Sequence, residues 1–147
     1  MTFSKLSPEK KALAEGLLAQ PVLARIATAN LKTGQPHVVP LWYLWDGVSI
    51  WVSGFRSTRK FRDLLANPRC AVLVEPVDSK ASKIQAVLFE GEAEVITKPR
   101  KLVEEMSARI YLRYLGEEGV KAADPQSWIH DAENLVVRLT PQQVYTW

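Results

Sequence analysis

The sequence predicts a mainly β protein, a six-stranded antiparallel β-barrel with flanking α-helices. Three observations support this prediction. Several segments are rich in the β-branched and aromatic residues that strands favour, short turn signals separate neighbouring segments, and few helical segments lie between them. Strands that are joined mainly by hairpins pair antiparallel and close into barrels, whereas a doubly wound parallel sheet requires a helix between successive strands.

The length and composition indicate one folded domain over residues 1–147. The chain is 47% hydrophobic and 24% charged, which is typical of a globular protein, and it has no low-complexity tract. Its first residues lack the apolar core of a signal peptide, and no apolar run reaches the roughly 18 residues of a membrane span. We therefore expect a cytoplasmic protein with no membrane partner.

The charged residues and the few Cys and His residues limit the classes of ligand. The net charge is +3, and acidic and basic residues are mixed along the chain instead of forming the basic face typical of nucleic-acid binding. The single Cys70 excludes an internal disulfide, and only His37 and His130 accompany it, so no metal-ligand spacing exists. We expect a small-molecule ligand, with no metal and no nucleic acid.

The first part of the chain contains a helix and then three strands. The helix begins at Ser7, a favourable N-cap residue, and Pro8 takes the first helical position. The three strands that follow are predicted at residues 22–29, 36–45 and 48–54.

Turn residues separate these strands. Gly34 in the loop LKTGQ can adopt a positive φ, and Asp46-Gly47 between two apolar runs is a strong hairpin signal. Pro40 cannot donate a hydrogen bond to a neighbouring strand, so we expect an edge strand or a bulge there.

The remaining segments add three strands and two or more helices. A helix that starts near Arg56 ends at Asn67-Pro68. The fourth, fifth and sixth predicted strands are RCAVLVEP, KIQAVLFEGEAEVI and NLVVRLTPQQVYTW, the last of them broken near Pro141. A long helix opened by Pro99 stops near Gly116, and a second helix or a loop follows it. The apolar residues of the long helix share one face: Leu102, Val103, Met106, Ile110 and Leu115.

The second predicted strand has apolar residues on both faces. Val39 and Leu41 lie on one face, and Val38, Pro40 and Trp42 lie on the other. A strand with one face in water would alternate apolar and polar residues, so something covers the outer face as well. We expect a homodimer whose interface uses this aromatic outer face; the alternative is a helix packed over the strand.

Positive charge is concentrated at the start of the helix near Arg56, where Arg59, Lys60 and Arg62 follow. The N-terminus of a helix is already partly positive, so each exposed cation there costs roughly 0.3–1 kcal/mol. A bound phosphate would outweigh that cost, because each charge-assisted hydrogen bond contributes about 1.5–3 kcal/mol. We therefore predict an anion site at this helix. The alternative is a solvated basic surface with Asp63 as a local partner.

An ordered set of motifs resembles the flavin-binding split barrels of the pyridoxamine 5'-phosphate oxidase superfamily. The set comprises Arg-x-Ala-Thr, Gly-x-Pro, a Pro-apolar-aromatic strand, Asp-Gly, and then a Ser and an Arg-Lys helix that ends in Leu-x-x-Asn-Pro. With FEGEAEVI and VVRLTPQQVYTW, the resemblance covers nearly the whole chain. It implies a Greek-key split barrel and a homodimer, with FMN or a deazaflavin coenzyme at each of two sites between the subunits.

The resemblance also implies which residues bind the cofactor. The phosphate would be held by Arg59 and Lys60, supported by Ser53, Ser57 and Thr58. The isoalloxazine would be bordered by Arg25, Ala27 and Thr28. The walls of the pocket would be Trp51 and the segment from Pro40 to Trp42. Near the C-terminus, Trp147 or Tyr145 would reach the flavin of the partner subunit.

Two departures separate this chain from the vitamin-processing oxidases of the superfamily. Those enzymes carry Arg-Gln shortly before the Glu-Gly of the fifth strand, whereas this chain has Ile84-Gln85, and its end lacks their Arg-x-His pattern. The chain is more similar to the short, general members. We therefore expect an FMN-dependent oxidoreductase of unassigned substrate, with a deazaflavin-dependent reductase as the alternative. No catalytic residue is assigned, because flavin hydride transfer requires no general acid or base from the protein.

Three other functions are less favoured by the sequence. A module that stores flavin or haem without turnover would be indicated by a ligating His37 or His130. A Cys-His nucleophile would use Cys70, but a small thiol in an apolar strand is usually inert. Trp51 beside basic residues could also imitate a base-stacking platform.

Overall fold

The computed structural model describes residues 1–147 and contains eight strands, four α-helices and a short 3-10 helix at Phe3–Lys5. The helices are α1 Pro8–Leu18, α2 Arg59–Ala66, α3 Arg100–Val120 and α4 Ala123–His130. The strands are β1 Ala24–Ala29, β2 Pro36–Leu41, β3 Leu44–Trp45, β4 Ile50–Phe55, β5 Arg69–Val74, β6 Val87–Ile96, β7 Asn134–Leu139 and β8 Gln143–Thr146. None of the helices is long and apolar enough to cross a membrane.

All the strands pair antiparallel in the order β2-β1-β5-β6-β7-β4-β3, and β8 also pairs with β6. The ten-residue β6 joins two sheets: its first part pairs with β5 and β8, and its last four residues pair with β7. We call β2, β1, β5, the first part of β6 and β8 the first sheet, and the last part of β6 with β7, β4 and β3 the second sheet. The two sheets enclose the core as a split barrel.

The barrel core is a cluster of 24 buried residues contributed by both sheets, α1 and α2. Its largest fully buried side chains include Tyr43, Phe61 and Phe89. Inward positions alternate along β1 and β5, so that Ala24 and Ile26 are buried while Arg25 is exposed. The core is therefore assembled from the period of two that strands impose.

A second apolar cluster lies between the outer face of the second sheet and α3. Val103, Met106 and Ile110 of α3 are buried in it, together with Trp51 and Val136. This confirms the shared apolar face predicted for the long helix. The helical conformation is interrupted at Gly116 (φ 76°, ψ 174°), the residue predicted to stop the helix, and a further helical turn follows to Val120.

Arg113 of α3 fastens this helix to the rest of the barrel. Its guanidinium donates to the carbonyls of Leu18 and Gln20, each at 3.1 Å, and also to the carbonyl of Tyr43. The side chain also lies over the ring of Tyr43, with 4.8 Å between its Cζ and the ring centroid. One side chain of α3 thus donates hydrogen bonds to three backbone carbonyls outside its own helix.

The fold class is confirmed, but the structure has eight strands where six were predicted. The second predicted strand is divided into β2 and β3 at Trp42 and Tyr43. The sixth is divided into β7 and β8 at residues 140–142, which confirms the break predicted near Pro141. Tyr43 interrupts the strand because its side chain enters the core, where its hydroxyl donates to the carbonyls of Leu18 and Gln20.

The outer face of the second predicted strand is covered only in part. Trp42 packs against α3 and stacks on Tyr114, with 4.9 Å between ring centroids, as the helix alternative anticipated. Val38 and Pro40 remain exposed on β2. β2 is an edge strand, which confirms the expectation drawn from Pro40.

Candidate functional site

The junction of β4 and α2 positions the predicted anion site. Gly54 lies in β4 directly beneath α2, and a Cβ there would stand 2.5 Å from Cε2 of Phe61. Phe61 and Leu64 are both buried in the barrel core. The absence of a side chain at Gly54 therefore allows α2 to approach the sheet closely.

The first turn of α2 leaves its backbone amides available. Thr58 is the N-cap residue, but its hydroxyl donates to the carbonyl of Phe55 at 2.8 Å and makes no capping hydrogen bond. The first helical backbone bond runs from the amide of Arg62 to the carbonyl of Thr58. The amides of residues 59–61 lack a backbone or side-chain acceptor and can donate to an anion.

The cations of this turn differ in their partners. Nε of Arg59 lies 3.8 Å from Oδ2 of Asp63. The half-buried Lys60 forms no ion pair, and its ammonium lies 4.8 Å from the centroid of the Phe61 ring. Burial disfavours the charged ammonium and lowers the pKa of Lys60. Pairing with Asp63 therefore accounts for Arg59 but not for Lys60.

A groove of about 640 Å³ lies between α2 and the loop that joins β1 to β2. Arg59, Arg62 and Asp63 line it from the helix, and Asn30 and Lys32 line it from the loop between β1 and β2. Its lining has three cations and one carboxylate, which favours an anionic occupant.

The predicted supporting hydroxyls already have protein partners. Ser53 donates to the hydroxyl of Tyr111 at 3.3 Å, and burial raises the pKa of that tyrosine. Ser57 donates to Oε2 of Glu133 at 3.1 Å. Either serine would have to share or exchange its partner to contact a phosphate.

Thr28 connects the predicted ring site to the phosphate helix. It is buried, and its Oγ1 donates to Oδ2 of Asp63 at 3.3 Å. β1 and α2 are therefore linked by a side-chain hydrogen bond close to Arg59.

The other predicted ring residues lie on the outer face of the first sheet. Ala27 lines a shallow depression of about 500 Å³, which also includes Ala71 and Gly91 on neighbouring strands. Arg25 lies on the same face, 3.0 Å from Oε1 of Glu75, and pairs in register with the exposed Pro40. Small side chains at the floor of this depression leave room for a planar group against the sheet.

The two predicted tryptophan walls lie elsewhere, beneath α3. Trp51 is 6% exposed and its indole N–H donates to Oδ2 of Asp46 at 2.8 Å. Trp42 packs on Tyr111 and Tyr114. The structure thus does not bring these indoles onto the face that carries Ala27.

The C-terminal candidates lie beside the N-terminal segment. Trp147 is 59% exposed, and with Tyr145 it lines a groove of about 620 Å³ that Met1 and Lys10 border on the other side. Both aromatic side chains are accessible on the outside of the barrel.

Three further groups that the sequence analysis singled out have structural surroundings that explain them: Cys70, His130 and Gln85. Burial raises the pKa of the Cys70 thiol to about 12, which disfavours the thiolate. Nδ1 of His130 lies 3.3 Å from Oε1 of Glu104. Gln85 donates to the carbonyls of Ser79 and Ser82 and so braces the loop before β6.

Sequence reasoning treated Asp63 only as a surface partner, and it did not identify Tyr111 or Glu133. The spacing of four residues from Arg59 is the signal that could have placed Asp63 near the site. Tyr111 and Glu133 approach the site through long-range contacts that no local pattern reveals.

The family model for pyridoxamine 5'-phosphate oxidase matches residues 10–147. The chain belongs to this family. The superfamily expected from the motifs is therefore confirmed. No curated protein matches the sequence.

Solved structures share the fold of this family member. A conserved hypothetical protein, Rv2991 from Mycobacterium tuberculosis, is 23% identical with a TM-score of 0.75, and the match covers 97% of this chain and 84% of that one. An F420 reductase is also 23% identical, with a TM-score of 0.69 and coverage of 89% and 94%. HutZ, the haem storage protein from Vibrio cholerae, is 19% identical, with a TM-score of 0.69 and coverage of 99% and 94%. The same fold thus occurs in a reductase and in a storage protein.

Proposed function

We propose that this protein is an FMN-dependent oxidoreductase that works as a homodimer and binds the FMN phosphate at the first turn of α2. The observation that carries the proposal is the half-buried Lys60 ammonium, which has no carboxylate partner and belongs to the turn whose backbone amides are free. Membership of a flavin-binding family supports a flavin as the phosphate-bearing ligand.

The donor set fits a phosphate monoester. Three backbone amides, the terminal nitrogens of Arg59 and the ammonium of Lys60 are hydrogen-bond donors, and a phosphate offers several charged acceptors. Each charge-assisted hydrogen bond contributes about 1.5–3 kcal/mol, so a few of them exceed the cost of keeping Lys60 charged and half-buried.

The residues of the first sheet would orient the flavin ring. Ala27 and its small neighbours provide a shallow apolar floor, and a partner subunit placed over this face would exclude water from the ring. The flavin supplies the acceptance and return of a hydride when it is bound. In this proposal the protein contributes binding, orientation and a dry environment.

A deazaflavin-dependent reductase is the second candidate, because an F420 reductase shares the fold over 89% of this chain. The cations at α2 would serve the phosphate of either cofactor. A deazaflavin supports hydride transfer but little chemistry with oxygen, so the activity would be that of a reductase.

The deciding experiment is an absorbance spectrum of the purified protein, followed by the mass of the small molecule released on denaturation. A two-banded flavin spectrum and the mass of FMN would support the proposal. The mass of a deazaflavin would support the second candidate, and a haem spectrum would contradict both. If the protein is colourless, titration with FMN, a deazaflavin and haem gives the same three outcomes, and binding of none of them overturns the proposal.

The phosphate site is tested by the double variant Arg59→Ala/Lys60→Ala. We expect its dissociation constant for FMN to rise by roughly a hundredfold or more, since two charge-assisted contacts are lost. The control Lys101→Ala/Lys121→Ala removes the same charge from exposed positions of α3 and its C-cap and should leave FMN affinity nearly unchanged. Equal affinities for FMN in the two double variants would contradict the assignment.

A further inference from the structure

Asp63 is a buried carboxylate in the middle of α2. It is 7% exposed, whereas Arg62, its neighbour along the helix, is exposed. Burial of a carboxylate is unfavourable unless hydrogen bonds or a nearby cation compensate for the lost hydration. The contacts of Asp63 therefore indicate why the charge is there.

Two side chains approach the same oxygen of this carboxylate. Oδ2 of Asp63 accepts a hydrogen bond from Oγ1 of Thr28 at 3.3 Å and lies 3.8 Å from Nε of Arg59. Thr28 belongs to β1 and Arg59 begins α2. Asp63 thus stands between the strand proposed to border the flavin ring and the arginine proposed to bind the phosphate.

The ion pair between Asp63 and Arg59 is made through Nε of the guanidinium, 3.8 Å from Oδ2. An arginine that approaches a carboxylate with Nε keeps the four N–H groups of its two terminal nitrogens for other acceptors. Arg59 lies on the groove along α2, with nearly half of its side chain exposed. A side chain held in one orientation before binding loses less conformational entropy when the anion arrives.

We infer that Asp63 is a positioning residue, which Thr28 holds in place and which directs the guanidinium of Arg59 toward the cofactor phosphate. This inference rests on the proposed function, in which Arg59 binds that phosphate. It assigns a role to the buried link between β1 and α2, and it makes the affinity for the phosphate group depend on a residue that does not contact the ligand.

If Asp63 only neutralises charge, replacing its carboxylate should strengthen FMN binding instead of weakening it. A carboxylate near a bound phosphate repels it, so removing the negative charge would then strengthen FMN binding. For the isosteric substitution Asp63→Asn, a positioning role therefore predicts a lower affinity for FMN, and simple repulsion predicts a higher one.

The first test compares FMN with riboflavin, which has the same ring but no phosphate, by titration against wild-type protein and Asp63→Asn. We expect FMN affinity to fall about fivefold or more, with riboflavin affinity unchanged, because the loss acts only through Arg59. In the Arg59→Ala background the same substitution should not weaken FMN binding further. Asp124→Asn, on α4, is the control for charge. Unchanged or tighter FMN binding by Asp63→Asn, or equal losses for both ligands, would overturn the inference.

The second test needs no cofactor, so it separates this inference from the proposed function. The motion of the Arg59 Nε–H group is measured by NMR relaxation in flavin-free protein, with Arg62 of the same helix as the internal reference. We expect Arg59 to be more restricted than Arg62 in the wild type and equally mobile in Asp63→Asn and Thr28→Val. If the wild type binds no flavin but Arg59 is restricted, the proposed function fails and the link stands. Equal mobility of Arg59 and Arg62 in the wild type overturns the link.

Discussion

Lys60 carries its positive charge in surroundings that disfavour it. Burial lowers the pKa of Lys60 from 10.5, so the folded protein binds this proton less tightly than the unfolded chain does. Between the two pKa values the unfolded state holds more protons, and this group makes the flavin-free protein more stable as the pH rises through that interval. A bound phosphate would shift the pKa of Lys60 in the opposite direction, because it favours the charged ammonium.

The pKa of Lys60 therefore predicts an alkaline dependence of cofactor affinity. As the pH rises through the lowered pKa, the ammonium loses its proton and FMN affinity falls, while the flavin-free protein gains stability from the same group. FMN binding in this interval should take up a fraction of a proton. Calorimetric titrations in two buffers of different ionisation enthalpy measure that uptake.

The control for this prediction is Lys60→Met, which keeps an apolar side chain near the Phe61 ring and removes the titrating group. The proton uptake that remains in this variant belongs to other groups, including the flavin itself. Equal uptake by the wild type and Lys60→Met would show that Lys60 does not sense the phosphate.

At this scale the sequence revealed the cations and their local partner Asp63, but not the partners of the predicted supporting hydroxyls. The crowding of cations at the start of α2 was visible because a helix dipole acts within one turn of the chain. The contacts of Ser53 with Tyr111 and of Ser57 with Glu133 join residues 58 and 76 positions apart, so they depend on the completed fold. Trp51 was placed in the wall of the ring pocket by the family resemblance, and the structure buries it against α3.

The close packing of α2 on β4 is the feature of the secondary-structure elements that most directly places the site. A Cβ at Gly54 would stand 2.5 Å from the ring of Phe61, which is fully buried and cannot swing into solvent. We expect Gly54→Ala to lower the free energy of unfolding by about 1–3 kcal/mol, because the ring or the helix must shift. The same shift moves the first turn of α2, so FMN affinity should fall as well.

Urea denaturation of Gly54→Ala and Gly16→Ala checks this prediction, because the two substitutions should change the free energy of unfolding in opposite directions. No atom lies within 4 Å of a Cβ at Gly16, which is inside α1, so alanine there should stabilise the protein by about 0.5–1 kcal/mol through helix propensity. An unchanged midpoint for Gly54→Ala would mean that Phe61 can move aside at no cost.

The elements themselves were largely predictable, with one informative failure. Local signals placed α1, α2, α3 and the hairpin strands, because caps, turn residues and hydrophobic periods are short-range properties. The division at Trp42 and Tyr43 was missed, whereas the break predicted near Pro141 lies at residues 140–142. Tyr43 leaves the strand to bond the carbonyls of Leu18 and Gln20, and its amide donates to Tyr114 of α3, so the interruption arises from distant partners.

At the scale of the whole molecule, one outer face of the barrel is covered by a helix and the other is not. The outer face of the second sheet is covered by α3, which buries Trp51 and Val136. The outer face of the first sheet has no helix over it, and it exposes Val38 beside Pro40 on β2, next to the depression that includes Ala27. Apolar residues on both faces of the second predicted strand indicated an outer cover, either a partner subunit or a helix, and for Trp42 that cover is α3.

The uncovered outer face of the first sheet predicts how a charged substitution there affects dimerisation. A homodimer formed through the first sheet would bury Val38, which is 62% exposed in the single chain, and two-fold symmetry would place the substitution on both subunits. We expect Val38→Asp to weaken dimerisation roughly a hundredfold or more, because two unpaired carboxylates enter one apolar interface. FMN retention should fall in parallel if the partner subunit completes the site.

Light scattering with size-exclusion chromatography over a range of protein concentrations measures this effect. Val77→Asp is the matched control, since Val77 is 90% exposed in the segment between β5 and β6 and lies outside the first sheet. A wild-type monomer that retains FMN would contradict the proposed assembly. A Val38→Asp dimer as stable as that of Val77→Asp would place the interface on another face, and the ring would then require its second wall from the same chain.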